Sequence, residues 1–140
     1  MDEKSNRLYL PIFSDLIDQF TIDQIREVLK PENKNSYAEE MKRIVQDVNV
    51  LIEKKQIKLS ARLIRIIIVL AQLNLHIWYT KEIMMNDPNR FDESMKLTHQ
   101  LNGIRNQMKN LLMEEAGFKE ATGKRTNINT DNLKGWDISI

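Results

Sequence analysis

The stretch LIRIIIVLAQLNLHIWY, residues 63–79, constrains the fold of this chain more than any other segment. Apolar side chains occur almost all round this predicted helix, which is typical of a helix enclosed by other helices. A membrane span needs about 20 apolar residues, and Arg65 would lie inside this one. The stretch therefore predicts the central helix of an all-α bundle in a soluble protein.

The composition of the 140-residue chain fits one globular domain in a reducing cytoplasm. Its formal net charge of +1 argues against a dedicated duplex-DNA binder, which carries a basic footprint. The absence of cysteine excludes disulfides, thiolate metal sites and cysteine nucleophiles. The opening MDEKSNRLYLPIF is too charged, and its apolar part too short, for a signal peptide. We therefore expect a cytoplasmic location and no membrane partner.

Helical periodicity and end signals predict four helices that form an antiparallel bundle within residues 1–118. Their predicted ranges are about 13–30, 36–54, 60–86 and from 87 or 92 to 117. Ser36–Glu39 reads as a capping box for the second helix, and Ser60 as the N-cap of the third. Asp87 and Asp92 are alternative starts for the fourth helix, and Gly117 is its expected end.

Residues 119–140 lose the helical period and predict an extended C-terminal arm. At the end of the chain, Trp136, Ile138 and Ile140 alternate with polar residues, as in a short half-buried strand. A lone strand is not stable by itself, so the arm is expected to pack on its own bundle or on another chain. The alternative is a disordered tail, because chain ends tend to fray.

Polar residues on the third and fourth predicted helices fall into two stripes. Arg65, Gln72, His76 and Tyr79 are spaced by seven, four and three residues, which returns them to one helix face. If this face meets the polar face of the fourth helix, the bundle contains a polar seam. The candidate ligand-binding residues are Arg65, Gln72, His76, Trp78, Tyr79, His99, Asn102, Arg105, Asn106 and Lys109.

A seam of this composition suits a small anionic ligand. Guanidinium and ammonium groups bind phosphate or carboxylate, amides read polar edges, and Trp78 or Tyr79 offers a stacking face. The alternative is that the polar groups satisfy one another and fix the register of the helices. A second anion candidate is the basic turn around the start of the third helix, which includes Lys54, Lys58 and Arg62. The alternative is that this basic turn is simply solvated and binds no anion.

Catalytic motifs are sparse in this chain. Its two histidines have no carboxylate at metal-ligand spacing, and zinc or iron sites use three or four ligands. All-helical nucleotide pyrophosphohydrolases hold magnesium with paired acids on two helices. Glu39, Glu40 and Asp47 are present on the second helix, but residues 61–72 of the third carry no acid to face them. We therefore expect no cofactor and no metal, and a protein that is not an enzyme.

Short motifs in three of the predicted helices resemble signatures of uncharacterised helical-bundle families. Leu70, Asn74 and Trp78 match the pattern L-x-x-x-N-x-x-x-W, and LNGIRN at 101–106 matches L-N-x-x-R-N. SDLIDQFTIDQIRE is similar to the LIDKLTI opening of the same families. Lys81 and His99 depart from the pattern, since acids are commoner at both places.

The resemblance implies a helical bundle with a polar seam, and it implies no particular reaction. Such proteins tend to be encoded near sugar and cell-surface polysaccharide genes, and relatives are carried by tailed phages. If this chain is phage-encoded, its location is the cytoplasm of the bacterial host. A phage protein of this kind is suited to act as a sponge, which is a protein that binds and sequesters a nucleotide signal of bacterial defence.

These observations lead to one main hypothesis and two alternatives. The main hypothesis is a non-enzymatic homo-oligomeric bundle that binds a nucleotide or a nucleotide-sugar, and does not bind nucleic acid. The first alternative is a structural protein–protein interaction module that assembles through the C-terminal arm. The second is an enzyme that acts on nucleotides or sugars.

Overall fold

The computed structural model describes residues 10–118, 136 and 138–140, and this part of the chain is an all-α bundle of four helices with no strand. The helices are α1 (Phe13–Leu29), α2 (Lys34–Lys55), α3 (Ala61–Asn86) and α4 (Phe91–Glu115). Short 3-10 turns at Pro31–Asn33 and Pro88–Arg90 lead into α2 and α4. The predicted all-α bundle is confirmed, whereas the predicted C-terminal strand is wrong for the described residues.

Two of the predicted helix ends are confirmed. The side chain of Ser60 accepts a hydrogen bond from the backbone amide of Leu63 at 3.0 Å, as an N-cap does. Gly117 has a φ of 92°, and the amide of Phe118 donates to the carbonyl of Met113 at 3.0 Å. This is the glycine-terminated helix end expected for α4.

The other two end signals were misplaced. The predicted capping box at Ser36 is wrong, because α2 already begins at Lys34 after the turn that Pro31 starts. Asp87 does act as a cap, but its side chain accepts from Asn89 in the 3-10 turn rather than from α4 itself. Helix α4 then begins directly after this turn.

The core of the bundle is built around α3 and α4. Ile66, Leu70 and Leu73 of α3 are fully buried, as are Leu101 and Leu112 of α4. Full burial of such a side chain is worth about 1.5–3 kcal/mol. The start of α3 contacts the end of α4, and the short turn joins their other ends, so these two helices run in opposite directions.

Helix α3 is not enclosed on all sides, which corrects the expectation from its sequence. Helix α1 packs against the other three helices, whereas α2 packs against α1 without close backbone approach to α3 or α4. One face of α3 therefore has no covering helix among the described residues. The exposed large apolar side chains of α3 are Ile64, Ile68, Leu75, Tyr79 and Met85, at 43%, 60%, 39%, 47% and 76% exposure.

The hydropathy of α3 meets a membrane-span criterion by length and composition alone. It is the one helix of the described residues to do so. An 18-residue segment of α3 has a mean hydropathy of 1.4, and 44% of this segment is buried in the bundle. Core helices of soluble proteins meet the same criterion, and one side of α3 forms part of the hydrophobic core.

A buried carboxyl group lies where α1 packs against α2. Asp23 is fully buried, its Oδ1 accepts from Gln19 at 2.9 Å, and its Oδ2 has no hydrogen-bond partner among the described residues. Burial raises the pKa of Asp23 above its usual value; the bond from Gln19 opposes this and the nearby Glu40 adds to it. The ionised form is thus disfavoured in the folded protein.

We expect Asp23→Asn to stabilise the protein at pH 7. The pKa of Asp23 is higher in the folded protein than in the unfolded protein, where it is near 3.8. Its carboxyl group therefore contributes stability to the folded protein below that pH, and this contribution is lost as the pH rises. Asparagine keeps the acceptor for Gln19 and offers Glu40 a donor, which is worth about 1 kcal/mol or about 3–5 °C in Tm. Thermal unfolding at pH 7 and pH 3 measures this, and the advantage should vanish at pH 3. A lower Tm of the variant at pH 7 contradicts it.

Candidate functional site

A buried ion network joins α1, α3 and α4. Arg105 donates from Nε to Oδ1 of Asp18 at 2.9 Å, and its Nη2 pairs with Oδ2 of the same carboxylate. Asn74 donates to Oδ1 of Asp18 at 2.9 Å. Lys109 lies with its Nζ 2.6 Å from Oδ1 of Asp15 and 3.9 Å from Oδ2 of Asp18. Two carboxylates and two cations therefore balance one another.

Asp18 is the centre of this network. Burial alone would raise the pKa of its carboxyl group. Hydrogen bonds from Arg105 and Asn74, and the charges of Arg105 and Lys109, outweigh burial and lower the pKa below its usual value. Asp18 is 4% exposed and Lys109 3% exposed, so their charges are stabilised by charged partners in the network rather than by water. The network ties three helices together in one register.

The sequence pointed to half of this network. Asn102, Arg105 and Lys109 were predicted site residues, and they do lie together, since Asn102 accepts from Arg105 at 3.2 Å. Their counterion Asp18 was missed. The sequence does contain a signal for it. Asp15 and Asp18 are three residues apart and Arg105 and Lys109 four apart, so each pair lies on one face of its helix.

The predicted stripe of α3 does not lie in the bundle interior, and the end of the chain contacts part of it. Arg65, Gln72, His76 and Tyr79 are all exposed. Arg65 donates to the backbone carbonyl of Ser139 at 2.6 Å and to its hydroxyl at 3.0 Å. Arg65 and Arg105 therefore have different partners on different sides of α3, and the structure does not bring them to the shared cleft that the stripes suggested.

The end of the chain packs along α3 of the same molecule. The rings of Trp136 and His76 are 5.9 Å apart, and Ser139 lies at Arg65, so the chain end runs opposite to α3. Trp136, Ile138 and Ile140 are partly buried against the core. Within residues 138–140, Ser139 is exposed between the partly buried Ile138 and Ile140, and these residues form no strand. Residues 119–135 and 137, the rest of the predicted arm, lie outside the described residues.

The other predicted site residues lie apart from these groups. Trp78 is partly buried, donates from its ring nitrogen to Glu82 at 3.1 Å, and lies 5.9 Å from the ammonium of Lys30. His99 is exposed on α4 and Asn106 is partly buried. The ten candidates do not form one site.

The basic turn before α3 is partly neutralised by the end of α4. Arg62 pairs with Oε2 of Glu115 at 2.7 Å, and Ser60 donates to Oε1 at 2.8 Å. Both bonds lower the pKa of Glu115 below its usual value. No group of three or more potential metal-ligating residues occurs among the described residues.

An apolar groove opens between α1 and α3. It has a volume of about 490 Å³, and its walls are almost wholly apolar. The lining residues are Phe20, Thr21, Gln24, Ile25, Ala71, Gln72 and Leu75. Phe20 and Ile25 fall near the helical spacing of the apolar residues of α1, and this spacing gives no sign of an open groove.

Four of the five exposed large apolar residues of α3 form a stripe beside this groove, and Met85 lies off it. We call Ile64, Ile68, Leu75 and Tyr79 the α3 seam. Their spacing of four, seven and four residues keeps them on one face over about 22 Å of helix. Leu75 belongs to both the seam and the groove wall. Leu75 thus connects the exposed seam residues to the apolar groove.

Comparison of this chain with protein-family models, with curated proteins and with solved structures found no match in any of the three.

Proposed function

We propose that this protein is a non-enzymatic, cytoplasmic interaction module. Its binding surface is the α1–α3 groove together with the α3 seam, and its ligand is an amphipathic helix of a protein partner. The observation that carries the proposal is the exposure of the four seam residues next to an apolar groove. A helix with an apolar stripe is the usual occupant of such a groove.

The chemistry of the groove supports an apolar helix over a charged ligand. No charged residue lines it, and its polar lining groups are those of Thr21, Gln24 and Gln72. The partly buried Arg105 and the buried Lys109 are already paired with carboxylates. Displacing a carboxylate from buried cations costs several kcal/mol, which favours the apolar surface as the binding site.

We expect Leu75→Arg to weaken the binding of a helical probe by about tenfold or more, or about 1.4 kcal/mol. The probe is a fluorescein-labelled designed amphipathic peptide of about three heptads with leucine and isoleucine on one face. Fluorescence anisotropy during titration with the protein gives the dissociation constant. Arginine at position 75 places a charge in the groove wall, where an apolar partner cannot solvate it.

Met95→Arg is the matched control, because Met95 is 52% exposed on α4, which contributes nothing to the groove. It should bind the peptide as the parent does. Equal affinity of parent and Leu75→Arg contradicts the proposed function, and so does the absence of peptide binding by a parent that has the solution mass of one chain. Far-UV circular dichroism establishes that both variants are folded.

A second candidate function is the binding of a nucleotide or nucleotide-sugar on the exposed stripe of α3, including the sequestering of a nucleotide signal. The observation in its favour is that Arg65 is exposed, is bonded to uncharged atoms of Ser139, and shares its helix face with Gln72 and His76. Stabilisation of the parent by a nucleotide, and its loss in Arg65→Ala, distinguishes this candidate from the first.

A further inference from the structure

We propose that the helix bound on this surface is α3 of a second copy of the chain, so that the protein forms a two-fold symmetric dimer with the two α3 helices antiparallel. The inference rests on the proposed function, because it uses the same surface and names its occupant. Three independent observations support it: the spacing of the seam, the residues at its centre, and the charges at its ends.

The seam is self-complementary. In an antiparallel helix pair related by a two-fold axis, residues whose numbers add to a constant lie opposite one another. Ile68 and Leu75 add to the same number as Ile64 and Tyr79, so all four side chains find apolar partners in a single register. A seam without this symmetry would leave at least one of its residues with no seam residue opposite it.

The centre of the seam suits a close approach of two helices. The two-fold axis of this register passes between Ala71 and Gln72. Alanine is small enough to let helix axes come within about 8–10 Å. Gln72 is exposed and lies near its own copy across the axis, where two amides can exchange hydrogen bonds. No charged residue is placed at the centre of the contact.

The two ends of α3 carry opposite charge. Residues 53–65, around its start, contain the acid Glu53 and the bases Lys54, Lys55, Lys58, Arg62 and Arg65. Residues 81–93, around its end, contain the bases Lys81 and Arg90 and the acids Glu82, Asp87, Asp92 and Glu93. An antiparallel pair places each basic end beside an acidic end. The dipoles of the two helices are then antiparallel as well, which also favours this arrangement. A parallel pair would place like charges together.

Cysteine cross-linking tests this arrangement directly, because the chain has no cysteine of its own. The variants are Gln72→Cys, Ile68→Cys, Leu75→Cys and the control Met95→Cys. Under mild oxidation, Gln72→Cys should link to itself. Ile68→Cys alone should not, since its two copies lie about 10 Å apart along the axes, beyond disulfide reach. A mixture of Ile68→Cys and Leu75→Cys should link. Non-reducing gels and intact mass measure the products.

Light scattering after gel filtration gives the solution mass of the full chain and its variants. We expect the parent and Met95→Arg to have the mass of two chains, and Leu75→Arg the mass of one. A parent that stays monomeric but binds the helical peptide in a Leu75-dependent way overturns the dimer and leaves the proposed function standing. Self-linking of Ile68→Cys, or linking of Met95→Cys as readily as the mixture, overturns the antiparallel arrangement.

Discussion

Asp18→Ala should lower the free energy of unfolding by about 3–5 kcal/mol at pH 7. The substitution leaves Arg105 and Lys109 without the carboxylate that both contact, and Lys109 is almost fully buried. Urea denaturation followed by circular dichroism measures the change. Asp15→Ala is the matched control, because Asp15 also contacts Lys109 but has a side chain that is 42% exposed. Its loss should cost less, about 1.5–2 kcal/mol, because Asp15 itself is largely solvated and Asp18 remains 3.9 Å from Lys109.

The pH dependence of this effect separates charge from shape. The folded-state pKa of Asp18 lies below its unfolded value of about 3.8, so its contribution is present above that pH and is lost as the pH falls. Asp18→Asn removes the charge and retains the size of the side chain. The stability difference between parent and Asp18→Asn should therefore narrow between pH 5 and pH 3. An equal difference at both pH values would mean that the Asp18 carboxylate is not stabilised by Arg105 and Lys109.

The fold was predictable from the sequence because its signals are local. Helical periodicity located all four helices, and the Ser60 cap and the Gly117 end depend on residues within one turn of them. The ion network is different, since Asp18 and Arg105 are 87 residues apart. Whether two charged residues meet depends on the rotation of each helix in the bundle. Periodicity gives the apolar face of one helix but not its angle to the next.

The exposure of the α3 seam could not be predicted from the sequence for a related reason. An apolar pattern all round α3 indicates that every face is covered, but it does not indicate which molecule covers it. The face with Ile64 and Ile68 has the same composition as the face with Ile66 and Leu70, and only the fold distinguishes exposed from buried. Which molecule covers the open face of α3 therefore cannot be read from the apolar pattern, and the second helix proposed above is tested by the variants that follow.

Leu70→Ala and Ile68→Ala should separate these two faces of α3. Leu70 is fully buried, so its truncation leaves a cavity and should lower the free energy of unfolding by about 2–5 kcal/mol. Ile68 is 60% exposed, and its truncation should change that free energy by less than about 0.5 kcal/mol. Urea unfolding at dilute protein measures both values, because dimerisation would add stability at higher concentration.

The same pair should behave in the opposite way in association. Ile68→Ala removes an apolar contact from each copy, so the dimer dissociation constant from sedimentation should rise by about tenfold or more, as for loss of more than 1 kcal/mol at an interface. Leu70→Ala should leave this constant within about threefold wherever the protein is folded, since Leu70 does not reach the seam. Equal losses of folding stability in both variants would mean that α3 is covered on all sides by its own chain, and that the seam is part of the core.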